Sequence, residues 1–303
     1  MPPETKTDRP PVCDYEGSDY QQRFWDQADR QYEDRVEAIA IQRLLPKSGK
    51  LLLEVGAGAG RNTPRYQGFE QIVVMDYSTT QLEQAQARLG TSDRYIYVAA
   101  DVYKLPFVDG LFDTATMIRV IHHMAEPTKA LAQVRQVLQS DGIFILEYAN
   151  KRNLKSILRY WLGKQEWNPF DQEPVEFVPL NFDFHPKAMH TWLHETQFAA
   201  ERQLTVSHFR MGWVKRWLPL GLLVGLDSLF QHTGALFQYT PSVFVRSRAT
   251  GETSRAKEGT FFKCPACETA LPKEQSGELV CPACGRHWGV KNGIYDFKNA
   301  KKG

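Results

Sequence analysis

The chain has 303 residues, 42% hydrophobic and 24% charged. This composition is near the globular average, so it excludes a wholly disordered or fibrous chain and leaves room for about two domains of ~150 residues. With 37 basic against 35 acidic side chains and a formal charge of +2, there is no global field to concentrate nucleic acid or anionic lipid, so any such partner needs a local patch.

The N-terminus, MPPETKTDRPPV, is proline-rich and has no apolar run. Residues 1–13 therefore read as a disordered tail and not a signal peptide, with a cytoplasmic location expected. Between residues 14 and 48, Tyr20, Phe24, Trp25, Tyr32, Val36, Ile39, Ala40 and Leu44 recur at spacings of three and four, which predicts one or two amphipathic helices. Residues 49–250 then alternate strand-like and helix-like segments. Strands are predicted near 51–56, 71–76, 95–100, 112–118 and 142–148. Helices are predicted near 61–67, 79–89 and 127–139, the last ending at the sequence SDG. Such alternation implies a doubly wound α/β domain with a mostly parallel sheet. Residues 151–185 break the rhythm with clustered aromatics and prolines and read as an insertion beside the sheet. A helix near 186–197, a strand near 203–210, a helical segment near 213–233 and a last strand, SVFVRSRA, follow. The longest apolar run, WLPLGLLVGL, is about half of the ~20 residues that span a bilayer, so no transmembrane helix is expected. Residues 251–260 read as a linker, and 261–300 as a separate small module.

The stretch LLLEVGAGAGRNTPRY places a glycine turn after the first strand, where open α/β folds bind ligands. The dinucleotide pattern G-x-G-x-x-G requires glycine where Arg61 stands, and no Lys-Ser/Thr pair follows Gly60 to make a P-loop. The acid Glu54 ahead of Gly56, Gly58 and Gly60 disfavours a phosphate and suits a cation. S-adenosylmethionine, which carries an ammonium, a sulfonium and no phosphate, fits that chemistry. Later strand ends agree. Asp76 is placed to accept both ribose hydroxyls, with Tyr77 beside it to pack on the nucleoside. Asp101 suits the adenine amino group, with the Val102 backbone near the ring. A tight turn and helix-capping aspartates are the bland alternative for each position taken singly.

These residues resemble the class I S-adenosylmethionine-dependent methyltransferases of the type-11 group, over about residues 50–150. The resemblance implies a Rossmann-like seven-stranded sheet whose last strand is antiparallel, a role SVFVRSRA could fill. It implies that Glu54, Gly56 and Gly58 line the methionine end, that Asp76 holds the ribose, that Asp101 and Val102 meet the adenine, and that Arg119 sits close to the cofactor. It also implies that the N-terminal helical segment covers the cofactor as a lid, with Tyr15, Tyr20 and Arg23 facing it.

Methyl transfer is an in-line displacement that needs orientation and a dry pocket. An oxygen or nitrogen acceptor of high pKa also needs a base, and His122 and His123 follow the fourth strand on the presumed acceptor side. Plain packing at the start of the next helix is the competing reading for both, and His185 and His190 are weaker candidates. The aromatics of 160–184, together with GWVKRWLPLGLLVGL, suggest an apolar acceptor pocket or a lipid-touching surface, with ordinary core as the alternative.

Cys264, Cys267, Cys281 and Cys284 form C-x2-C-x13-C-x2-C, the spacing of a four-thiolate Zn2+ site. A segment of roughly 40 residues is too small to be stable on its own core, so metal would supply folding energy. Disulfides or a rubredoxin-like iron are the rivals. The module resembles the small zinc-ribbon subunit that activates certain RNA and protein methyltransferases. Its nine basic and six acidic residues over 251–303 are a thin signal for RNA. The expected function is methyl transfer to a small-molecule or lipid-like acceptor. RNA or protein methylation with the ribbon as docking module, and a non-catalytic cofactor-binding interaction protein, are the alternatives.

Overall fold

Apolar runs alternating with amphipathic segments build one long sheet with helices on both faces. The computed structural model describes residues 10–13, 16–18 and 30–302. In chain order the elements are α1 (Gln31–Leu44), β1 (Gly49–Val55), β2 (Phe69–Asp76), α2 (Thr79–Leu89), β3 (Tyr95–Ala99), β4 (Phe112–Met117), α3 (Pro127–Val137) and β5 (Leu138–Ala149). The insertion contributes α4 (Leu154–Trp161), β6 (Val175–Val178) and β7 (Asn181–Asp183). Then come α5 (Pro186–Glu195), β8 (Phe198–Val206), α6 (Gly212–Trp217), α7 (Leu220–Phe230) and β9 (Ser242–Ala249). The C-terminal segment holds β10 (Glu278–Val280), β11 (Arg286–Lys291), β12 (Ile294–Asp296) and β13 (Lys301–Lys302).

The central order is β3-β2-β1-β4-β5-β9-β8. These seven strands are parallel except β9, which runs antiparallel to both β5 and β8. This is the α/β Rossmann-like methyltransferase fold, with its antiparallel strand formed by SVFVRSRA. Because successive side chains point to opposite faces, Leu53 and Val55 join one core cluster with α3 and α5, while Leu52 joins another with α1 and α2. Burial on both faces explains the near-continuous apolar runs of the strands.

Several boundaries differ from the sequence expectation for local reasons. The helix expected near 61–67 is a single 3-10 turn, Thr63–Arg65. Helix α3 stops at Val137, and the SDG sequence lies inside β5, where Asp141 takes a φ of 61° and the register with β4 shifts. That sequence makes a strand irregularity and not a helix stop. The helical segment near 213–233 is split, because Leu218 before Pro219 is forced into extended backbone. The lid residues Tyr15, Tyr20 and Arg23 lie outside the described residues.

The C-terminal segment is continuous with the sheet. β12 pairs parallel to β3, matching Ile294 to Tyr97 and Asp296 to Ala99, and Phe297 N donates to Ala99 O at 2.8 Å. β11 pairs antiparallel to β12 and β10 to β11, extending the sheet to eleven strands with β13 beside β11. Phe262 forms a bridge to Phe107. Its ring lies 5.8 Å from that of Phe107, 4.8 Å from Tyr295 and 4.9 Å from Phe297. The linker is anchored too, since Arg135 donates to the carbonyls of Thr250 and Gly251 and to Thr253 Oγ1.

Candidate active site and metal centre

The carboxyl ends of β1, β2 and β4, with the chain just beyond β3, converge on an open cleft. Gly56, Gly58, Asp76, Tyr77, Val102, Arg119 and His123 all line it. The turn after β1 needs its glycines, since Gly56 and Gly58 adopt φ of 67° and 54°. A Cβ on Gly56 would also stand 2.2 Å from Val120 Cγ2. Asp76 fixes that turn. Its Oδ2 accepts from Gly58 N at 2.8 Å and its Oδ1 from Ser78 N at 2.9 Å. Burial raises its pKa, opposed by those backbone donors. Tyr77 carries the Lys298 Nζ 5.0 Å from its ring centroid, so the last part of the ribbon reaches the Tyr77 side of the cleft.

Three expected residues do not line the cleft. Glu54 is buried under the glycine turn, its carboxylate accepting from Thr63 Oγ1 at 2.6 Å and Tyr66 OH at 3.2 Å. Burial pushes its pKa up to about 7 against those two bonds. Those two bonds tie it to the 3-10 turn Thr63–Arg65 and to Tyr66. Asp101 is buried as the cap of the 3-10 turn Val102–Lys104, accepting from Tyr103 N at 3.0 Å. His122 is turned into the protein, with Nδ1 buried and lacking a hydrogen bond. Burial, then the neighbouring His123 and Arg119, hold it well below the ordinary histidine range.

His123 is the histidine at the cleft. Its Nδ1 lies 2.9 Å from Leu180 O on the β6–β7 turn. A carbonyl can only accept, so Nδ1 carries the proton and Nε2 is left as the basic nitrogen. Burial lowers its pKa despite that bond, so the ring is neutral near pH 7. His185 caps α5 by accepting from Lys187 N, and His190 bonds Gln203, so neither is in the cleft lining.

The pairing of the cleft arginines with α1 has no counterpart in the sequence expectation. Arg61, at the position that disqualified the dinucleotide pattern, lines the cleft and donates to Asp34 Oδ1 at 2.6 Å and Glu37 Oε2 at 2.8 Å on α1. Arg119 holds the other oxygen of Glu37 through Nε, at 2.8 Å, and Nη2. Burial alone would raise the fully buried Glu37, but the guanidinium groups of Arg119 and Arg61 outweigh it and hold it at about 2. Arg119 has a φ of 61°, and its N donates to the buried Glu147 at 2.9 Å. Val12 and Cys13, from the segment expected to be a disordered tail, also line the cleft. An acid on α1 three residues from another and facing two arginines was the available signal, but it needed the tertiary pairing to be read.

The four cysteine sulfurs lie within 4.8 Å of one another, with Cys264–Cys284 at 3.7 Å and Cys267–Cys281 at 3.4 Å. Thiolates about 2.3 Å from a tetrahedral zinc stand about 3.8 Å apart, whereas a disulfide needs about 2.05 Å. The donor set fits zinc with all four positions filled by protein, which makes the centre structural.

Residues 53–146 match the model of the methyltransferase domain, and residues 261–293 that of Trm112p-like proteins. A demethylmenaquinone methyltransferase of Clavibacter sepedonicus is 32% identical over 119 residues, covering 38% of this chain and 49% of that protein. An O-methyltransferase of Penicillium expansum is 32% identical over 118 residues, 37% of this chain and 43% of its own length. The chain thus spans about half the length of these curated relatives. Among solved structures, a chain from the complex of the Haloferax volcanii Trm112 methyltransferase activator aligns with a TM-score of 0.54 at 14% identity, covering 77% of this chain and 95% of that one. Fold and sequence together define a methyltransferase domain of the S-adenosylmethionine-dependent class. It carries a Trm112p-like zinc ribbon at its C-terminal end.

Proposed function

We propose that the chain transfers the methyl group of S-adenosylmethionine to a small-molecule or lipid-like acceptor. The observation that carries this reading is the convergence of the glycine turn, Asp76, Tyr77 and Val102 on one cleft, with Asp76 locking the turn it would share with the ligand. Gly56 and Gly58 would meet the methionine part, Asp76 the ribose, and Tyr77 with Val102 the nucleoside base. Arg119 would stand beside the sulfonium end, its charge balanced by Glu37 and so not opposed to a cation. The name of the Clavibacter relative points to a quinone acceptor, and that of the Penicillium relative to an oxygen acceptor.

Held by these residues, S-adenosylmethionine would supply an electrophilic methyl group for in-line transfer to an acceptor lone pair, with the electron pair of the sulfur–carbon bond passing to sulfur. For a hydroxyl or amine acceptor, His123 would take the proton; its place in the cleft lining supports that reading. Isothermal calorimetry tests the donor site: Asp76→Ala should weaken S-adenosylmethionine binding at least tenfold, by loss of its polar contacts of about 1.5–3 kcal/mol. Undiminished affinity in that variant would remove the assignment.

The Trm112p-like match favours a second reading, methylation of RNA or protein docked by the ribbon. RNA retention that falls steeply with salt would support it. Retention no greater than that of a ribbon-free control would leave the first reading standing.

A further inference from the structure

The outer face of the insertion is not explained by the cleft. In α4, Leu154, Leu158 and Trp161 follow one another at spacings of four and three, with Lys155, Arg159 and Leu162 on the adjoining stripe. An ordinary surface helix turns such an apolar stripe to the core. Here it faces out. Trp161 is 69% and Leu162 66% exposed, Leu154 and Leu158 are about half exposed, and the inward side is Ser156 and Ile157.

The patch continues past both ends of the helix. Trp161 stacks on exposed Phe170 with centroids 6.3 Å apart. At the other end, Leu154 N donates to Tyr239 O at 2.8 Å, which sets the stacked Phe237–Tyr239 pair beside the start of α4. Exposed apolar patches of this kind mark interaction surfaces. Charge selects the occupant. From 151 to 165 the chain has five basic residues and no acidic one. Lys151 is buried on Asp171 and Arg152 is over the Tyr239 ring, but Lys155, Arg159 and Lys164 are exposed beside the apolar stripe. The nearest acids, Glu166, Asp171 and Glu173, come only in the loop that follows. Leucines and a tryptophan rimmed by lysine and arginine match a bilayer interface, with apolar groups among the acyl chains and cations at anionic headgroups. Among the described residues no helix is long and apolar enough to cross a membrane, so α4 would lie in the interface plane.

We propose that α4, with Phe170 and the Phe237–Tyr239 pair, docks this chain on an anionic lipid surface. The same insertion reaches the cleft. Trp167 packs edge-on against Phe177 of the β6–β7 hairpin at 5.6 Å, and Leu180 of that hairpin holds His123. Docking would therefore set the acceptor side of the cleft near the bilayer. Delivery of a lipid-like acceptor rests on the methyl-transfer reading, whereas docking itself does not.

Cosedimentation of the full zinc-loaded chain with vesicles of phosphatidylcholine, alone or mixed with phosphatidylglycerol, tests it. Retention is expected on the mixed vesicles only, weakening as salt rises. It should fall about tenfold or more in Lys155→Glu/Arg159→Glu and in Leu158→Ser/Trp161→Ser, with thermal midpoints near that of the parent chain. No retention on mixed vesicles, or equal retention by both variants, overturns the proposal. So does self-association that Leu158→Ser/Trp161→Ser abolishes in a chain that ignores vesicles, since that assigns the face to a second copy. Vesicle binding in a chain that fails to bind S-adenosylmethionine would overturn the methyl-transfer reading alone.

Discussion

The sheet body and the ribbon reach stability by different routes. The body sandwiches parallel strands between helices, so Leu52 and Leu53, adjacent in sequence, are each wholly buried on opposite faces. The ribbon has no layers of its own. Its buried Phe262, Leu279, Trp288 and Phe297 belong to the same cluster as α3 and the sheet interior, and Ile294 to the opposite cluster with α1 and α2. It supplies thiolates and an edge strand, and borrows the rest. Two segments that match two different families thus share their apolar clusters across the boundary near residue 260.

Removing the metal tests that contrast most severely. Structural zinc contributes on the order of 10 kcal/mol in small ribbons, so chelation of the one zinc expected per chain should unfold 261–300 and expose Trp288. Tryptophan fluorescence and circular dichroism would follow it. A ribbon that kept its fold without metal would mean the aromatic interface suffices.

The body's vulnerable point is electrostatic. Glu37→Gln leaves Arg61 and Arg119 without their shared buried counter-charge and should cost about 3–5 kcal/mol in urea unfolding. Because the folded pKa of Glu37 is depressed to about 2 from an ordinary 4.5, its contribution is present above pH 4.5 and is lost as pH falls toward 2. The variant should therefore lose stability less steeply over that acid range. An identical acid limb would show that the pair is not the one that titrates.

The last two variants should separate the regions. Phe262→Ala, at the seam, should cost about 3 kcal/mol and leave the pH–rate profile unmoved. His123→Ala should leave the thermal midpoint near normal while lowering kcat about a hundredfold for a protonated oxygen or nitrogen acceptor. Full turnover in the second variant would take His123 out of the reaction.

Much of the body was legible because its signals are local. Helix α2 was bounded correctly at 79–89: Ser78 caps it through Gln81 N, and Gly90, with a φ of 83°, closes it. β9 matched residue for residue, Ser242–Ala249, its Val-Phe-Val run fully buried in the sheet. What stayed hidden depends on distant partners. The bonds of Glu54 to Thr63 and Tyr66 have no signature in the sequence around it. His122 and His123 are equivalent in sequence, and only Leu180, 57 residues beyond His123, distinguishes the ring in the cleft. The pairing of β12 with β3 had no local signature, because parallel partners are about two hundred residues apart in sequence.

The anchoring of residues 250–253 by Arg135 means the ribbon hardly diffuses from its seat. A short tether of this kind gives a local concentration in the millimolar range, equivalent to about 4 kcal/mol against a 1 M standard state. The seam can therefore remain occupied with an intrinsic affinity too weak to recruit the same module from dilute solution. Cutting the chain near residue 255 would convert a permanent fixture into a subunit obeying mass action.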